Sequence, residues 1–529
     1  MISEVKEVPF DDQVDSKDVP EGWVSTRLGC GLVIDVQPGF ACGANNREGE
    51  GIPHLRPMNI NAGGQIRLAN LKYVPESEVD RGERLLGPGD VIFNNTNSPD
   101  LVGKTAFYDL REPRAFSNHM TRLRCRLDVF DPHFCAMAVH QKWREGYFRT
   151  VCNNHVSQSS VGRTALLDTA ILLPPLAEQG RIVAKAEELL IRVNATRGGL
   201  TRAALILKRF RQAVLAAACS GRLTEEWRGN NPAMESAENV VEGIRRRRMV
   251  QEVTSSQVEK LNEVYAFQEE GNSDLLPEGW RYVALDKLCG SFQYGTSRKS
   301  SPSGKVSVLR MGNIQGTEID WHDLVYTSDE DEIEKYKLRA GDILFNRTNS
   351  PELVGKTAIY KGERPAIFAG YLIRISNLQE LDSRYLNFCL NTLHAREYCM
   401  AVKTDGVSQS NINAQKLGKF EVPFCPLSEQ LEIVRRVEAL FKLADSIEKR
   451  VAAATARANK LAQSILAKAF RGELVPTEAE LARREGRSYE PASALLARIQ
   501  AEREAKVLPK PARRNPRRQD VRRQGVRSA

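Results

Sequence analysis

The sequence predicts an α+β protein with an internal pseudo-two-fold duplication, in which two similar globular units are separated by two long helices paired as an antiparallel coiled coil. Three observations predict this fold class. Segments recur at an offset of about 250 residues. Each copy begins with short apolar runs punctuated by Gly, Pro and Asn, which is typical of short strands and turns. Each copy then ends in a long stretch with helical apolar spacing.

The clearest repeat pairs GDVIFNNTNSPDLVGKTAFY at residues 89–108 with GDILFNRTNSPELVGKTAIY at residues 341–360. The two segments agree at 15 of 20 positions, and only Asn95 against Arg347 changes the chemistry of the side chain. Further pairs extend the repeat along the chain: PEGW (20–23 and 277–280), VSQSS and VSQSN (156–160 and 407–411), PLAEQGRIV and PLSEQLEIV (175–183 and 426–434), and QAVLAAACSGRL and QSILAKAFRGEL (212–223 and 463–474).

The Gly-Lys-Thr triplet in this repeat does not fit a phosphate-binding loop. A Walker-type loop needs a glycine five residues before the Gly-Lys pair, and Ser98 and Ser350 stand there. Pro99 and Pro351 also remove a backbone donor from the loop. We predict instead that a strand ends at the Asn cluster, that Asn-Ser-Pro turns the chain, and that a second strand resumes at Thr-Ala-Phe-Tyr.

Two long helices are predicted from Ile182 and from Ile433, where apolar residues step by three and four over about five heptads. Each stretch follows a proline, has an acidic residue in its first turn and stops near a glycine. A rod of this kind is roughly 55 Å long. The predicted seam residues are Ala186, Leu189, Val193, Leu200, Ala204, Leu207, Val214 and Ala218, then Val437, Leu440, Ala444, Ile447, Val451, Ala454, Ala458, Leu461 and Ile465.

Shorter second helices are predicted over residues 235–248 and 490–506. Each long helix carries one apolar stripe, and both are covalently present in one chain. We therefore expect the two long helices to pack on each other within the chain, with pairing to a partner subunit as the alternative.

Composition and charge indicate a cytoplasmic protein. The ten cysteines are scattered without a Cys-x-x-Cys pair, which predicts free thiols and no zinc site. No apolar run is long enough for a signal peptide or a membrane span. The net charge is +9, but the last 20 residues contribute +7 of it. That Arg-rich tail is predicted to be disordered, either as a solubilising end or as a nonspecific DNA arm.

The repeated elements FNNTNSPDLVGKTA and FNRTNSPELVGKTA, VSQS, PLAEQGRIV and PLSEQLEIV, and SGRLTEEW and RGELVP resemble those of specificity subunits of type I restriction-modification enzymes. The resemblance extends from about residue 20 to residue 507. It implies five regions: a first target recognition domain (1–175), a central helical spacer region (176–270), a second target recognition domain (271–426), a C-terminal helical spacer region (427–507) and a basic disordered tail (508–529).

The resemblance implies a DNA-reading subunit without catalytic residues, cofactor or metal of its own. Its expected partners are double-stranded DNA, two modification (methyltransferase) subunits and two restriction (endonuclease/translocase) subunits. S-adenosylmethionine, ATP and Mg are expected on those partners. The sequence agrees, because it contains no Asn-Pro-Pro-Tyr or Asn-Pro-Pro-Phe methyltransferase loop and no Walker loop. The alternative is a coiled-coil assembly protein with duplicated protein-binding domains.

Two sets of polar side chains are candidates for contacts with DNA. The first recurs in both halves and suits phosphate contacts or the fold itself: Lys104, Lys356, Gln158 and Gln409. The second lies where the halves diverge, which includes the segments KWREGYFRT (142–150) and SFQYGTSRKSSPSGK (291–305), and suits sequence reading: Asn95, Arg347, Lys142, Arg144, Arg298 and Lys299. For Arg347 a solvated surface position is the alternative.

Overall fold

The computed structural model describes residues 19–45, 49–79, 85–154, 158–232, 235–251, 254–406 and 409–507. The tail predicted to be disordered, at 508–529, lies outside the described residues. The chain divides into two compact units. The first contains residues up to Arg197 and those from Ala456 onward, and the second contains Gly198–Thr455.

The first half of the chain contains short strands, short helices and one long helix. In chain order they are β1 Val24–Arg27, β2 Val33–Pro38, β3 Ile52–Leu55, β4 Lys72–Val74, β5 Leu85–Leu86, β6 Asp90–Asn94, β7 Thr96–Asn97, β8 Thr105–Tyr108, β9 Arg114–Phe116, β10 Met120–Cys125, α1 Pro132–Arg144, α2 Tyr147–Val151, β11 Asn153–Asn154, β12 Ser159–Ser160, α3 Arg163–Leu167, β13 Ala170–Leu173, α4 Leu176–Cys219, α5 Glu225–Gly229, α6 Ala237–Gln251 and α7 Ser255–Ala266.

The second half follows this order in outline. Its elements are β14 Arg281–Ala284, α8 Leu285–Leu288, β15 Cys289–Tyr294, β16 Val306–Leu309, β17 Ile314–Gln315, β18 Glu318–Ile319, β19 Val325–Thr327, α9 Glu330–Tyr336, β20 Ile343–Asn346, β21 Thr348–Asn349, β22 Thr357–Ile359, β23 Ala366–Phe368, β24 Leu372–Asn377, α10 Ser383–Leu390, α11 Leu393–Val402, β25 Thr404–Asp405, β26 Ser410–Asn411, α12 Ala414–Gly418, β27 Glu421–Phe424, α13 Leu427–Phe470, α14 Glu478–Glu485 and α15 Ala492–Val507. Over the residues that the structure describes, this half adds α8, the hairpin β17–β18 and α9, and it has no strand in the place of β5.

Two sheets of the first unit correspond strand by strand to sheets of the second. A four-stranded antiparallel sheet has the order β2-β10-β6-β8 in the first unit and β15-β24-β20-β22 in the second. A small three-stranded sheet has the order β11-β12-β7 in the first unit and β21-β26-β25 in the second. A parallel pair, β3 with β9 or β16 with β23, lies in a further sheet of each unit. The predicted α+β class and duplication are confirmed.

The repeated Gly-Lys-Thr is a turn between strands, as predicted. Gly103 and Gly355 have φ of 97° and 89°, and each backbone N–H bonds the carbonyl of Asn94 or Asn346 at 2.8 and 2.9 Å. A Cβ on Gly103 would lie 2.4 Å from the ring of Phe148. Only glycine therefore fits this turn, since both the backbone angle and the space exclude a side chain.

The long helices α4 and α13 begin directly after Pro175 and Pro426 and contain 44 residues each, so each is about 66 Å long. They end just before Gly221 and Gly472, whose left-handed φ values of 72° and 70° terminate the helices. The predicted start and stop signals are therefore correct. The added length relative to the expected rod comes from helical turns before and beyond the recognised seam.

The two long helices pack on each other, as predicted. In the first unit, Ala186 and Val193 of α4 share a core cluster with Ala458 and Ile465 of α13. In the second unit, the last turns of α4 pack with the first turns of α13; these residues are Val214, Leu215 and Ala218, with Ile433, Val434 and Val437. The start of α4 thus meets the end of α13, and the pairing is antiparallel and within one chain.

Part of the predicted seam is wrong. Leu461 and Ile447 are 54% and 37% exposed, whereas the neighbouring Ala462 is buried. A straight α-helix drifts by about 20° per heptad relative to a strict 3.5-residue repeat. The buried stripe of α13 therefore moves from one heptad position to the adjacent one along its length.

The segment after each long helix packs against the PEGW repeat of its own unit. The backbone N–H of Ala237, at the start of α6, donates to the carbonyl of Gly279 at 2.9 Å. In the first unit, the N–H of Ala492, at the start of α15, donates to the carbonyl of Gly22 at 2.9 Å. The C-terminal helix α15 therefore packs on the PEGW repeat of the first unit in the same way that the central helix α6 packs on that of the second.

Candidate DNA interface

A cluster of aromatic, cationic and amide side chains surrounds Arg347 in the second unit. Its guanidinium carbon lies 4.7 Å from the centroid of the Tyr294 ring. Its Nη2 donates to Oδ1 of Asn411 at 3.0 Å, and its Nη1 donates to the carbonyl of Gly370 at 3.3 Å. Tyr294 and Tyr371 remain 40% and 49% exposed. We call Tyr294, Arg347, Tyr371 and Asn411 the arginine patch.

The arginine patch is held together by strand pairing. Tyr294 ends β15, Arg347 follows β20, and Asn411 ends β26, while the N–H of Arg347 bonds the carbonyl of Tyr371 at 3.0 Å. Stacking and hydrogen bonds fix the plane of the guanidinium, which reduces the entropy lost when it binds a ligand. Arginine and asparagine are the side chain types that recognise guanine and adenine edges in the major groove.

The corresponding position of the first unit has different chemistry throughout. Asn95 replaces Arg347, and its Nδ2 donates to the carbonyl of Asn118 at 3.3 Å. Strand register places Pro38, His119 and Ser160 where the second unit has Tyr294, Tyr371 and Asn411. We call Pro38, Asn95, His119 and Ser160 the asparagine patch.

The two lysines of the repeat have different environments. Lys104 is 7% exposed, and its Nζ donates to the carbonyl of Ile60 at 2.6 Å. Burial lowers the pKa of this ammonium group. Lys356 is only half buried. Lys104 therefore stabilises the backbone of its own unit. Of the two roles expected for the repeated residues, phosphate contact or support of the fold, its environment favours the second.

The two repeated glutamines, Gln158 and Gln409, are exposed and follow directly on residues that are outside the described part of the chain. The backbone carbonyl of Gln409 accepts a 2.7 Å hydrogen bond from the N–H of Gly406. Each glutamine stands two residues before the patch member that ends β12 or β26.

Lys142 and Arg144 lie in the last turn of α1. Lys142 is 3.4 Å from Glu145, and Nη2 of Arg144 donates to the carbonyl of Ala62 at 3.0 Å. Burial and the positive charge of Arg197 lower the pKa of Arg144. The guanidinium of Arg144 is thus held by the backbone of Ala62. The sequence did not predict this contact.

Arg298 and Lys299 lie on the exposed loop after β15. The guanidinium of Arg298 pairs with Asp329, which caps α9, and its Nε lies 3.5 Å from Glu332. The acidic first turn of α9 therefore holds Arg298 in place. In the described part of the chain, no group of three or more His, Cys, Asp or Glu side chains is placed to hold a metal ion.

Tyr371 and Asn411 of the arginine patch are absent from the contacts predicted from the sequence, and Tyr294 lies in the divergent segment 291–305 without being named as a contact. Each differs in chemistry from its partner in the repeat, and the Asn411 difference was visible in the pair VSQSN and VSQSS. Comparing the halves position by position would therefore have indicated it.

A family model described as the type I restriction modification DNA specificity domain matches residues 277–454. The type I restriction enzyme EcoKI specificity subunit of Escherichia coli (strain K12) is 30% identical over 503 residues, covering 92% of this chain and 97% of that protein. The StySPI specificity subunit of Salmonella potsdam is 29% identical over 470 residues, covering 86% of this chain and 90% of that protein.

The fold is also similar to that of a solved chain. That chain comes from work on complex assembly and conformational transition of a type I R-M system, with a TM-score of 0.59, 20% identity, and coverage of 86% of this chain and 99% of that chain. The duplication, the paired long helices and the sequence similarity across nearly the whole length agree with one another. The chain therefore belongs to the family of type I restriction-modification DNA specificity subunits.

Proposed function

We propose that this protein recognises an asymmetric, bipartite DNA target, with each globular unit reading one half-site, and positions methyltransferase and restriction subunits on that target. One observation carries the proposal. The same strand framework occurs in both units, yet the arginine patch and the asparagine patch differ at all four equivalent positions. A shared framework with different polar groups is what two readers of different sequences require.

The domain division is part of the proposal. Residues 1–175 and 271–426 act as target recognition domains, and residues 176–270 and 427–507 act as helical spacers. Two methyltransferase subunits and two restriction subunits bring S-adenosylmethionine, ATP and Mg to a complex that works in the cytoplasm. In the described part of the chain, no helix has both the length and the apolar character that spanning a bilayer requires.

Each predicted DNA-contact residue except Arg144 has a proposed role. Arg347 and Asn95 read bases within their patches. Gln158, Gln409, Lys356, Lys142 and Lys299 contact the target or its backbone from exposed or half-buried positions. Arg298 binds DNA after exchanging its carboxylate partners for phosphate. Lys104 stabilises the fold, because its ammonium group is buried against the carbonyl of Ile60.

The proposal is tested by reconstituting the chain with methyltransferase subunits and mapping methylated adenines across a genome. We expect one split sequence to be methylated. In R347N, which gives the second unit the residue of the first, only one half of that sequence should change, and N95R should change only the other half. Methylation without a common split motif would contradict the proposal.

A coiled-coil assembly protein with protein-binding units is the alternative function. It gives no reason for sequence-specific DNA affinity. A gel shift with labelled target and an excess of random duplex separates the two functions, because only a DNA reader retains the labelled target in that competition.

A further inference from the structure

The first unit contains a cavity of about 450 Å³ bordered by the end of α1, the turn after β7 and the long helices α4 and α13. Its polar lining is dominated by hydrogen-bond donors. These are the guanidinium groups of Arg144, Arg149 and Arg197 and the amides of Asn459 and Gln463, and they face a single carboxylate, Asp100.

The arginines make this cavity electropositive. Arg144 is half-buried, and its Nε is buried without a hydrogen-bond partner. Burial and the charge of Arg197 both disfavour its positive charge. Arg149 lies 3.4 Å from Asp100, but both side chains are exposed, at 70% and 78%, so this ion pair is weak. An anion in the cavity would offset the repulsion between the guanidinium groups.

The second unit has no equivalent set of arginines at the corresponding positions. At the repeat offset of 251 residues, Ala395, Met400 and Glu448 replace Arg144, Arg149 and Arg197. Glu448 lies 3.1 Å from Arg211, which also pairs with Asp445. Charges that are concentrated in the first unit are thus absent or neutralised in the second. The basic cavity is not a by-product of the duplicated fold.

We propose that the cavity of the first unit binds a phosphate group, either a phosphodiester of the DNA backbone or free phosphate. Guanidinium forks bind phosphate oxygens in pairs, and the amide N–H groups of Asn459 and Gln463 add donors from α13. The DNA case rests on the proposed function. It gives the complex one anchoring contact that only the first unit makes, which would fix the orientation of an asymmetric target.

The test measures the affinity of the full-length chain for a random-sequence duplex as a function of salt. Each phosphate contact contributes about one to the slope of log K against log salt concentration. We expect R149Q and R144A each to lower the affinity and to reduce the slope by about one. R484A, which removes a charge from the exposed helix α14 of the same unit, should leave the slope unchanged.

A second arm titrates the chain with inorganic phosphate by calorimetry. R149Q alters an exposed side chain, so its thermal unfolding should match that of the original protein and separate lost binding from lost folding. A changed DNA slope assigns the cavity to the backbone, and Arg144-dependent phosphate binding without that change assigns it to the free anion.

The cavity assignment is overturned if the slope is unchanged and inorganic phosphate does not bind. Its failure is distinguishable from failure of the proposed function. In the first case the original protein still prefers its target over random duplex, and in the second it shows no such preference.

Discussion

The indole Nε1 of Trp280 donates a 2.8 Å hydrogen bond to Oε2 of Glu429, and Trp23 makes the same 2.8 Å bond to Glu178 in the first unit. Both glutamates lie in the first turn of a long helix and are completely buried. The bond therefore fastens the PEGW repeat of each globular unit to the helix that follows it. Four repeated sequence elements that are far apart in the chain thus meet as two equivalent joints.

The two joints differ in the further partners of the buried glutamate carboxylate. Glu429 also accepts a hydrogen bond from Thr224 Oγ1 at 2.7 Å and pairs with Arg228, whereas Glu178 accepts from the backbone N–H of Glu478 at 2.8 Å. E429A leaves Arg228 without its buried partner, and we expect a loss of roughly 3 kcal/mol from the stability of the second unit. E178A serves as the matched variant and should cost less. Denaturant unfolding followed by tryptophan fluorescence measures both, and equal losses would contradict the argument.

The turn glycine Gly103 gives a second prediction. G103A places a Cβ at a φ of 97° and 2.4 Å from Phe148, so backbone strain and a steric clash add together, and we expect a loss of about 3 kcal/mol or more. Gly89 is the control, because its φ is 93° but no atom lies within 4 Å of the added Cβ. G89A should therefore lose only the backbone contribution, about 1–2 kcal/mol. Similar unfolding midpoints for the two variants would contradict the prediction, because they would show that Phe148 moves away from the added Cβ without loss of stability.

The buried His140 predicts a dependence of stability on pH. Its Nδ1 accepts a hydrogen bond from the N–H of Thr105 at 3.1 Å, and burial lowers its pKa to about 3. The folded form binds this proton more weakly than the unfolded chain, whose histidine pKa is about 6.5. Its contribution to stability is therefore complete above pH 6.5 and is lost as the pH falls toward 3, by about 2 kcal/mol at pH 5.

The repeat supplies the matched variant for this prediction. Asn391 occupies the corresponding position of the second unit, where its Nδ2 donates to Thr357 Oγ1 at 2.6 Å. H140N removes the titrating group and should flatten the loss of stability between pH 6.5 and 5. Urea unfolding at several pH values measures it, and an equally steep loss in H140N would exclude His140 as the cause.

The long helices and the repeated turn could be predicted from the sequence, because the residues that start and end them occur at equivalent positions in both halves. Proline before the long helices, glycine after them and the Asn-Ser-Pro turn all act over a few residues, so the sequence displays them directly. The helices α7 and α14 were missed, although Thr254 and Gln257, and Thr477 and Glu480, form capping boxes that the spacing of their residues could have indicated.

The arginine patch could not be predicted in the same way. Tyr294 and Asn411 are separated by more than a hundred residues and meet only through the register of strands β15, β24, β20 and β21 with β26. A shift of one residue in any of these pairings would turn a member of the patch to the other face. Lys104 was predicted as a possible DNA contact, but it is buried. Its burial depends on packing within the unit, which the sequence does not display.

The proposed spacer role gives the last prediction. Removing residues 198–204 from α4 and 449–455 from α13 deletes one heptad from each helix at equivalent positions of the repeat. It shortens the rod by about 10 Å while keeping apolar residues in register. Since one turn of DNA is about 34 Å, the gap between the half-sites should shorten by about three base pairs.

Methylation mapping of the reconstituted complex measures the gap directly. Deleting the heptad from α4 alone is the control, because it shifts the two helices out of register and should reduce stability instead of producing a new gap.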